Sequence, residues 1–461
     1  MFKKLLAIFL SILMVISTLT GSAFALGDDV DIPIADDDEE VIEPEFPSNV
    51  DSFEHLSAGS VKVDITNSTE LFKKSGDAYN PFPTGPAPSG DKWGMFTNFA
   101  YPTHKLVDGE YVEIEGAYKK GSYCGDTMFP IKAIKGSYNH TYYTDYNTDP
   151  SLLSTVTVTP HSGETMIGMG QMYRTGIKAI ENLKAYTDYE LSIWAYQANP
   201  CGFIKSLVVA DNYDGIQTNG LIAFADNCTV LGATNYNSDA VVYGEWTKLT
   251  VSFSTTDKTT AYLHISQNGL GTNGDKGMIF LDDLLVEESE NNIITGKELI
   301  ENKLVTTQGT TTVSGNAMLL EYSADGFEFT ANCEGSVKMS VTPNVYNTNW
   351  DLRLAVHING ERQDDIILTS TTTEVVLAYG LDKGNYTFKI EKMGEGQIGK
   401  ILINNISIIG EMKTPPAKKE IYIDFYGDSI TAGWGTTHYT GSPTNPYQYM
   451  DGSVTYAAVT S

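Results

Sequence analysis

Apolar and polar positions alternate in short segments from about Gly59 to Glu288. In "YELSIWAYQ", Tyr189, Leu191, Ile193 and Ala195 fall on one side, and Glu190, Ser192, Trp194 and Tyr196 on the other. In "WTKLTVSFS", Leu249, Val251 and Phe253 alternate with Lys248, Thr250 and Ser252, and "TAYLHIS" and "GMIFLDDLLVEE" follow. A period of two with turn residues between segments predicts antiparallel strands that bury one face. Many such strands with little helix predict a β-sandwich over 59–290. A second alternating block covers 291–412, with "DGFEFTANCEGSVKMSVTP", "DLRLAVHINGERQ", "TTTEVVLAYGLDKGNYTFKIEKM" and "GKILINNISII". Asn359-Gly360 predicts a two-residue hairpin and Gly380–Gly384 a turn. Thr414-Pro415-Pro416 makes 413–419 a stiff linker.

Beyond the linker the pattern changes. Glu420–Tyr426 is a nearly continuous apolar run, as a strand buried on both faces of a parallel sheet requires. It stops at Gly427-Asp428-Ser429, and a helix is predicted from near Ser453. Strand, tight turn and helix put Ser429 at the carboxyl end of a parallel strand, where helix N-terminal N–H groups stabilise anions. The fold class expected is mainly β: two β-sandwiches, then the first strand and helix of an α/β domain over 420–461.

Composition narrows the setting. Lys3 and Lys4 precede the apolar run Leu5–Leu19, and Ala23-Phe24-Ala25 fits a cleavage site, so 1–25 reads as a secretory signal peptide. Residues 26–58 carry a dense acidic run from Asp28 to Glu45 broken by Pro33, Pro44 and Pro47, and are expected to be a disordered leader. The formal net charge is −28, which disfavours nucleic acid as a partner and suits a secreted, extracellular protein handling neutral ligands, with no membrane association after signal cleavage. Cys124, Cys201 and Cys228 lie in the first block and Cys333 in the second, so at least one thiol is free or pairs across domains. No Cys/His spacing suggests zinc.

Two resemblances follow from particular residues. "AYTDYELSIWAY", "EWTKLTVSFS" and "MIFLDDLLVEE", with "HSGETMIGM" (His161–Met169) before them, resemble a CenC-type carbohydrate-binding module. "LAYGLDKGNYTFKIEKMGEGQIGKILINNISI", the prolines, "IYIDFYGDSITAGWG" and "TYAAVTS" together resemble carbohydrate esterase family 2 over about Asn291–Ser461. The resemblances imply jelly-roll, galactose-binding-like sandwiches before an SGNH (GDSL) hydrolase domain, and removal of acetyl groups from plant-wall polysaccharides such as xylan. They also imply that Ser429, within the Gly427-Asp428-Ser429 block, is nucleophile and oxyanion N–H donor, with a histidine as base and no cofactor for the chemistry. In the family that histidine follows an Asp-x-x-His pattern. None of His55, His104, His140, His161, His264, His357 and His438 has Asp three residues earlier, and only His438 follows Ser429. The chain is therefore expected to be a C-terminally truncated esterase, inactive as written. The rivals are a non-catalytic polysaccharide-binding protein and a glycoside hydrolase accessory protein; no placed pair of carboxylates argues for glycosidic cleavage.

Candidate sugar platforms are Trp93, Tyr142, Tyr143, Trp194 and Tyr196, since aromatic rings lie against the apolar faces of pyranoses. Trp194 and Tyr196 share the face opposite Leu191 and Ile193, so they line a groove or are buried beneath a loop. The partner expected is a plant cell-wall polysaccharide: xylan, β-glucan or mannan. Asp282 and Asp283 resemble a structural calcium position of such modules; exposed strand acids fit equally.

Overall fold

The first sandwich forms because its alternating strands each have one apolar face to hide. Ten of them matter here: β1 (Gly94–Thr97), β2 (Ile131–Lys135), β3 (Thr165–Met169), β4 (Arg174–Ile180), β5 (Asp188–Tyr196), β6 (Gly202–Ala210), β7 (Val230–Asn235), β8 (Trp246–Ser254), β9 (Ala261–Gly269) and β10 (Ile279–Glu288). One antiparallel sheet runs β8-β5-β10-β3-β2 and ends on Gly59–Ser60; the facing sheet runs β7-β6-β9-β4-β1. Between them lie Trp93, Ile131, Ile167, Leu191, Ile193, Leu207, Val209, Leu263, Ile265 and Leu281, all fully buried. The computed structural model describes residues 50–64, 66–97, 103–114, 131–143, 150–170, 174–198, 202–213, 215–218, 221–224, 228–237, 242–269, 278–346, 352–418, 427, 430–434, 436 and 450–455.

Two sequence expectations shift here. The leader expected over 26–58 ends before Val50. Val50 and Asp51 pair with Leu285 and Leu284 of β10, and Phe53 is 1% exposed in the first core. The Glu54 carboxylate accepts from the backbone N–H groups of Glu164 and Thr165, both at 2.7 Å. The acidic composition around these residues conceals two apolar anchors, Phe53 and Leu56. The block also contains a separate four-stranded sheet, Ala78–Thr84, Thr66–Ser75, His104–Val107 and Glu110–Glu113 in that order, in which Tyr79 stacks on Tyr111 with centroids 4.1 Å apart.

The second unit follows a short helix, α1 (Gly296–Glu301), whose N-cap Thr295 and Glu298 form a reciprocal capping box. Its main strands are β11 (Gly326–Val345), β12 (Leu352–Ile358), β13 (Glu374–Lys392) and β14 (Gly399–Lys413). They join smaller strands in one ten-stranded antiparallel sheet, β11 lying between β14 and β13. Phe327, Phe329, Ala331 and Cys333 alternate inward; then bulges at Gly335–Lys338 reset the register, and Val337, Met339 and Val341 continue the same core. The Gly380–Gly384 turn expected from sequence is such a bulge inside β13, with Gly380 at φ 61°. Asn359 and Gly360, at φ 52° and 85°, do turn between β12 and Glu361–Arg362. Cys333 is a free thiol, and burial beside Glu334 pushes its pKa up to about 11.

The sandwiches meet at a buried carboxylate. Asp188, the first residue of β5 and 5% exposed, accepts from Ser254 Oγ (2.5 Å) and from Ser336 N (2.9 Å) and Oγ (3.2 Å). Lys338 Nζ donates to Thr187 Oγ1 at 3.2 Å, and the Tyr186 and Tyr379 rings lie 5.2 Å apart. Gly335 sits at φ 71° where a Cβ would stand 2.5 Å from Asp188 Oδ1, so the bulge and its glycine make room for the carboxylate.

Asp428, Ser429 and the expected strand 421–426 lie outside the described residues. The helix expected from Ser453 is, over its described part, a single 3-10 turn, Gly452–Val454.

Candidate functional site

The outer face of the β8-β5-β10 sheet carries the aromatic residues that the alternation left unassigned. Trp194 pairs across to Lys248 on β8 and to Asp282 on β10. A bulge follows on β10, where Ser192 pairs with Leu285 and Asp283 takes φ 45°. The bulge puts consecutive carboxylates, Asp282 and Asp283, beside the loop 159–164.

The two acids hold that loop down. Asp282 Oδ2 accepts from His161 N (2.8 Å) and Ser162 N (3.3 Å), and its Oδ1 from Asp283 N (2.9 Å). Asp283 Oδ2 meets His161 Nδ1 at 2.6 Å, and its Oδ1 accepts from Ser162 Oγ at 2.6 Å. All four oxygens are engaged by protein groups. A calcium ion takes six to eight oxygens, so it would have to displace the loop. Among the described residues no group of three His, Cys, Asp or Glu side chains is placed to hold a metal. The pair does not fit a calcium site; it anchors a loop. Burial, with repulsion from Asp283 second, pushes the Asp282 pKa up to about 7 against its three N–H donors.

The anchored loop lays His161 flat on Trp194, with ring centroids 3.8 Å apart and planes 18° apart. Trp246 stands edge-on to both His161 (5.8 Å) and Tyr196 (5.8 Å), and its Nε1–H donates to Thr159 O at 3.0 Å. Tyr196 continues to Phe280 (6.2 Å), Phe280 to His140 (5.3 Å), and His140 to Tyr142 (5.7 Å). The result is a row of seven rings across the sheet. The antiparallel hairpin Tyr138–Tyr143 and Leu153–Val158 roofs its middle, which buries Tyr196 and Phe280 with Ile134, Val158 and Met166.

The candidates therefore separate. Trp93 is 0% exposed in the core and presents no ring face to a ligand. Tyr196, at 7%, is a core residue of the roofed cluster and presents none either. Trp194 and Tyr142 are half-buried at the two ends of the row. The side chain of Tyr143 lies outside the described residues. Sequence reading missed Trp246 and the stacking role of His161. Trp246 shares the outward parity of Lys248 and Thr250, which was the available signal. His161 covers one face of the half-buried Trp194 indole.

In the segment after the linker only Gly427 of the Gly-Asp-Ser block is described. It is exposed, and a Cβ there would collide with Thr431, so the glycine permits the turn. Six histidines are described, all before the linker. His55 contacts Asp91 (2.8 Å), His161 Asp283 (2.6 Å) and His357 Glu391 (4.0 Å). His264 is fully buried with Nε2 3.1 Å from Asn212 O, and burial pulls its pKa down to about 4. His104 and His140 pack against Tyr79 and Phe280. His438 lies outside the described residues.

Comparison with known proteins places one part of the chain. Residues 312–417 match the family described as carbohydrate esterase 2 N-terminal. This stretch of the second unit, under a quarter of the chain, is what the family description covers. No curated protein matches the chain. Among solved structures, it is similar to a family two carbohydrate esterase from Clostridium thermocellum in complex with cellohexaose, with 19% identity, a TM-score of 0.31, and coverage of 34% of this chain and 47% of that one. It is similar to an acetyl xylan esterase from Butyrivibrio proteoclasticus, with 18% identity, a TM-score of 0.33, and coverage of 37% and 45%. A tandem CBM22 domain of a Paenibacillus barcinonensis protein shares 8% identity, a TM-score of 0.24, and coverage of 62% and 94%. The chain spans less than half the length of the two esterases.

Proposed function

We propose that the protein is a secreted carbohydrate esterase directed at plant-wall polysaccharide, with the first sandwich as its glycan-binding module and Ser429 as its nucleophile. One observation carries this: the carbohydrate esterase 2 N-terminal match ends at residue 417, just past Pro415-Pro416, and Gly427-Asp428-Ser429 follows shortly after it. Ser429 Oγ attacks the acetyl carbonyl, and its backbone N–H helps hold the oxyanion. The polysaccharide bound is proposed to be xylan, β-glucan or mannan, since the module's half-buried aromatic ends suit neutral sugars, and the substrate acetylated xylan or another hemicellulose.

A second reading, a polysaccharide-binding protein without turnover, is favoured by the histidines. Each of the six described ones lies before the linker against neighbouring protein groups, and an unassisted serine hydroxyl is a weak nucleophile. The polypeptide 26–461 is expected to bind acetylated xylan yet release acetate no faster than its Ser429→Ala variant. Ser429-dependent release above that background would show that a histidine of this polypeptide, one of the six or His438, serves as base, and would retire the binding-only reading. In any form of the protein that supplies the base, Ser429→Ala is expected to lower kcat by about 10⁴-fold or more.

The binding half has its own test. Trp194→Ala is expected to weaken retention on xylan or β-glucan gels by about tenfold, equivalent to roughly 1.4 kcal/mol. Because the ring is half-buried and stacks only at the surface, the unfolding midpoint should hold within a few degrees. Unchanged retention on both gels would remove Trp194 from the site.

A further inference from the structure

Past the linker, the chain returns to one end of the second sandwich at 430–436 and 450–455. Met450 is 0% exposed and joins the second core, with Ala432 packed against the same cluster. Arg353 Nη2 donates to Met450 O at 2.7 Å. Asp451 is 1% exposed, and its Oδ2 accepts from Arg362 Nη2 at 2.8 Å. Arg362 also reaches Ser453 Oγ (2.6 Å) and Asp365 Oδ1 (2.8 Å), and Asp365 Oδ2 receives Arg353 Nη1 at 3.2 Å. Backbone bonds complete the seam: Gly452 N donates to Met393 O (2.9 Å), and Ser323 Oγ donates to Ala432 O (2.9 Å).

The two returning stretches are also tied to each other. Asp451 N donates to Gly433 O at 3.2 Å, and Thr436 Oγ1 to Asp451 O at 3.2 Å. Gly433, at φ 93°, lies where a Cβ would come within 2.5 Å of the Asp451 carbonyl, and a Cβ on Gly452 would collide with Ser323 Oγ. Backbone-to-backbone approach this close leaves little freedom to the turn. A carboxylate as buried as Asp451 is retained only if paired, and the Asn359-Gly360 hairpin is what brings Arg362 to it.

We propose that this end of the second sandwich is a positioning platform for the turn that begins one residue after Ser429. Arg353, Arg362 and Ser323 are its positioning residues: they touch the segment's backbone and the Asp451 carboxylate, and act on position 429 through them. The sandwich is then a structural part of the hydrolase, holding the nucleophile's turn in place. Naming that turn the nucleophile's rests on the reading of Ser429 above; the docking itself does not.

Hydrogen exchange read by mass spectrometry on the 461-residue chain tests this without turnover. Arg362→Ala is expected to speed exchange across 430–436 and 450–455 by tenfold or more, leaving β11 and β13 unchanged. Arg362→Lys should restore part of the protection, because an ammonium can pair with Asp451 but cannot hold Asp365 and Ser453 as well. Ser429→Ala should exchange like the wild type, so a wrong assignment of the nucleophile leaves this result standing. Unaltered exchange in Arg362→Ala, or an equal rise throughout β11 and β13, would overturn the platform.

Discussion

Asp188→Ala is expected to destabilise the chain by about 3 kcal/mol and to split its unfolding into two transitions. The carboxylate is the shared acceptor of Ser254 on the first sandwich and Ser336 on the second. Deleting it leaves a backbone N–H and two hydroxyls buried without their acceptor, at about 1–3 kcal/mol for each group that water cannot reach. Local relaxation recovers some of that, hence the lower total. Lys338 with Thr187 and Tyr186 with Tyr379 also join the sandwiches among the described residues, through weaker contacts. Domain pairs joined by small polar contacts unfold separately unless something couples them, and Asp188 is the coupling group. Scanning calorimetry should show one main endotherm for the wild type and two for the variant, with the lower midpoint displaced by roughly 5–10 °C. Asp188→Asn keeps one acceptor and should lie between. A single transition within about 2 °C of the wild type would mean that the sandwiches are coupled by other means.

This coupling bears on function. A glycan-binding module on a free tether raises local substrate concentration without aiming the substrate. One seated through a buried carboxylate fixes the angle between the Trp194 row and the second sandwich. If the proposed function holds and the second sandwich seats the turn after residue 429, a bound polysaccharide would meet that segment from one direction.

The inner half of the first sandwich was legible because alternation reports it directly. Leu191 and Ile193 on β5, and Leu249 and Val251 on β8, lie in the core as the period of two requires. The same periodicity cannot say what covers the other face. Tyr196 is buried because a hairpin some forty residues upstream folds over it, while Trp194, two positions earlier, lies beyond the roof. Asp188 was hidden for a similar reason. An acid at a strand's first position reads as turn chemistry, and its partner Ser336 stands in another domain. Asp282 and Asp283 suggested calcium through their resemblance to a structural calcium position of carbohydrate-binding modules. The bulge that turns both toward one loop is a backbone feature with no composition signature. In the second unit Asn359-Gly360 announced its turn, whereas Gly380–Gly384 carried the same turn residues within a bulged strand.

Asp282 gives the second large effect, and its sign is fixed by burial. Its pKa is 3.8 in an unfolded chain and about 7 in the folded one. Below about pH 4 the group is protonated in both states and costs nothing. Between about pH 4 and 7 the folded chain keeps a proton that the unfolded chain gives up, so stability falls as pH rises. The slope is about 1.4 kcal/mol per pH unit, for a total of roughly 4 kcal/mol between the two pKa values; relaxation of the loop lowers it toward about 2 kcal/mol. Above pH 7 both states are ionised and the loss stays constant. Asp282→Asn removes the titration at the cost of a weaker acceptor for the His161, Ser162 and Asp283 N–H groups. Urea unfolding of both proteins between pH 4 and 8 should show the wild type losing roughly 2–4 kcal/mol relative to the variant. That change should be complete by about pH 8. A difference that stays flat with pH would mean that Asp282 is ionised in the folded chain throughout. The three N–H donors would then outweigh burial and Asp283, and the loop that sets His161 on Trp194 would hold equally well in acid and at neutrality.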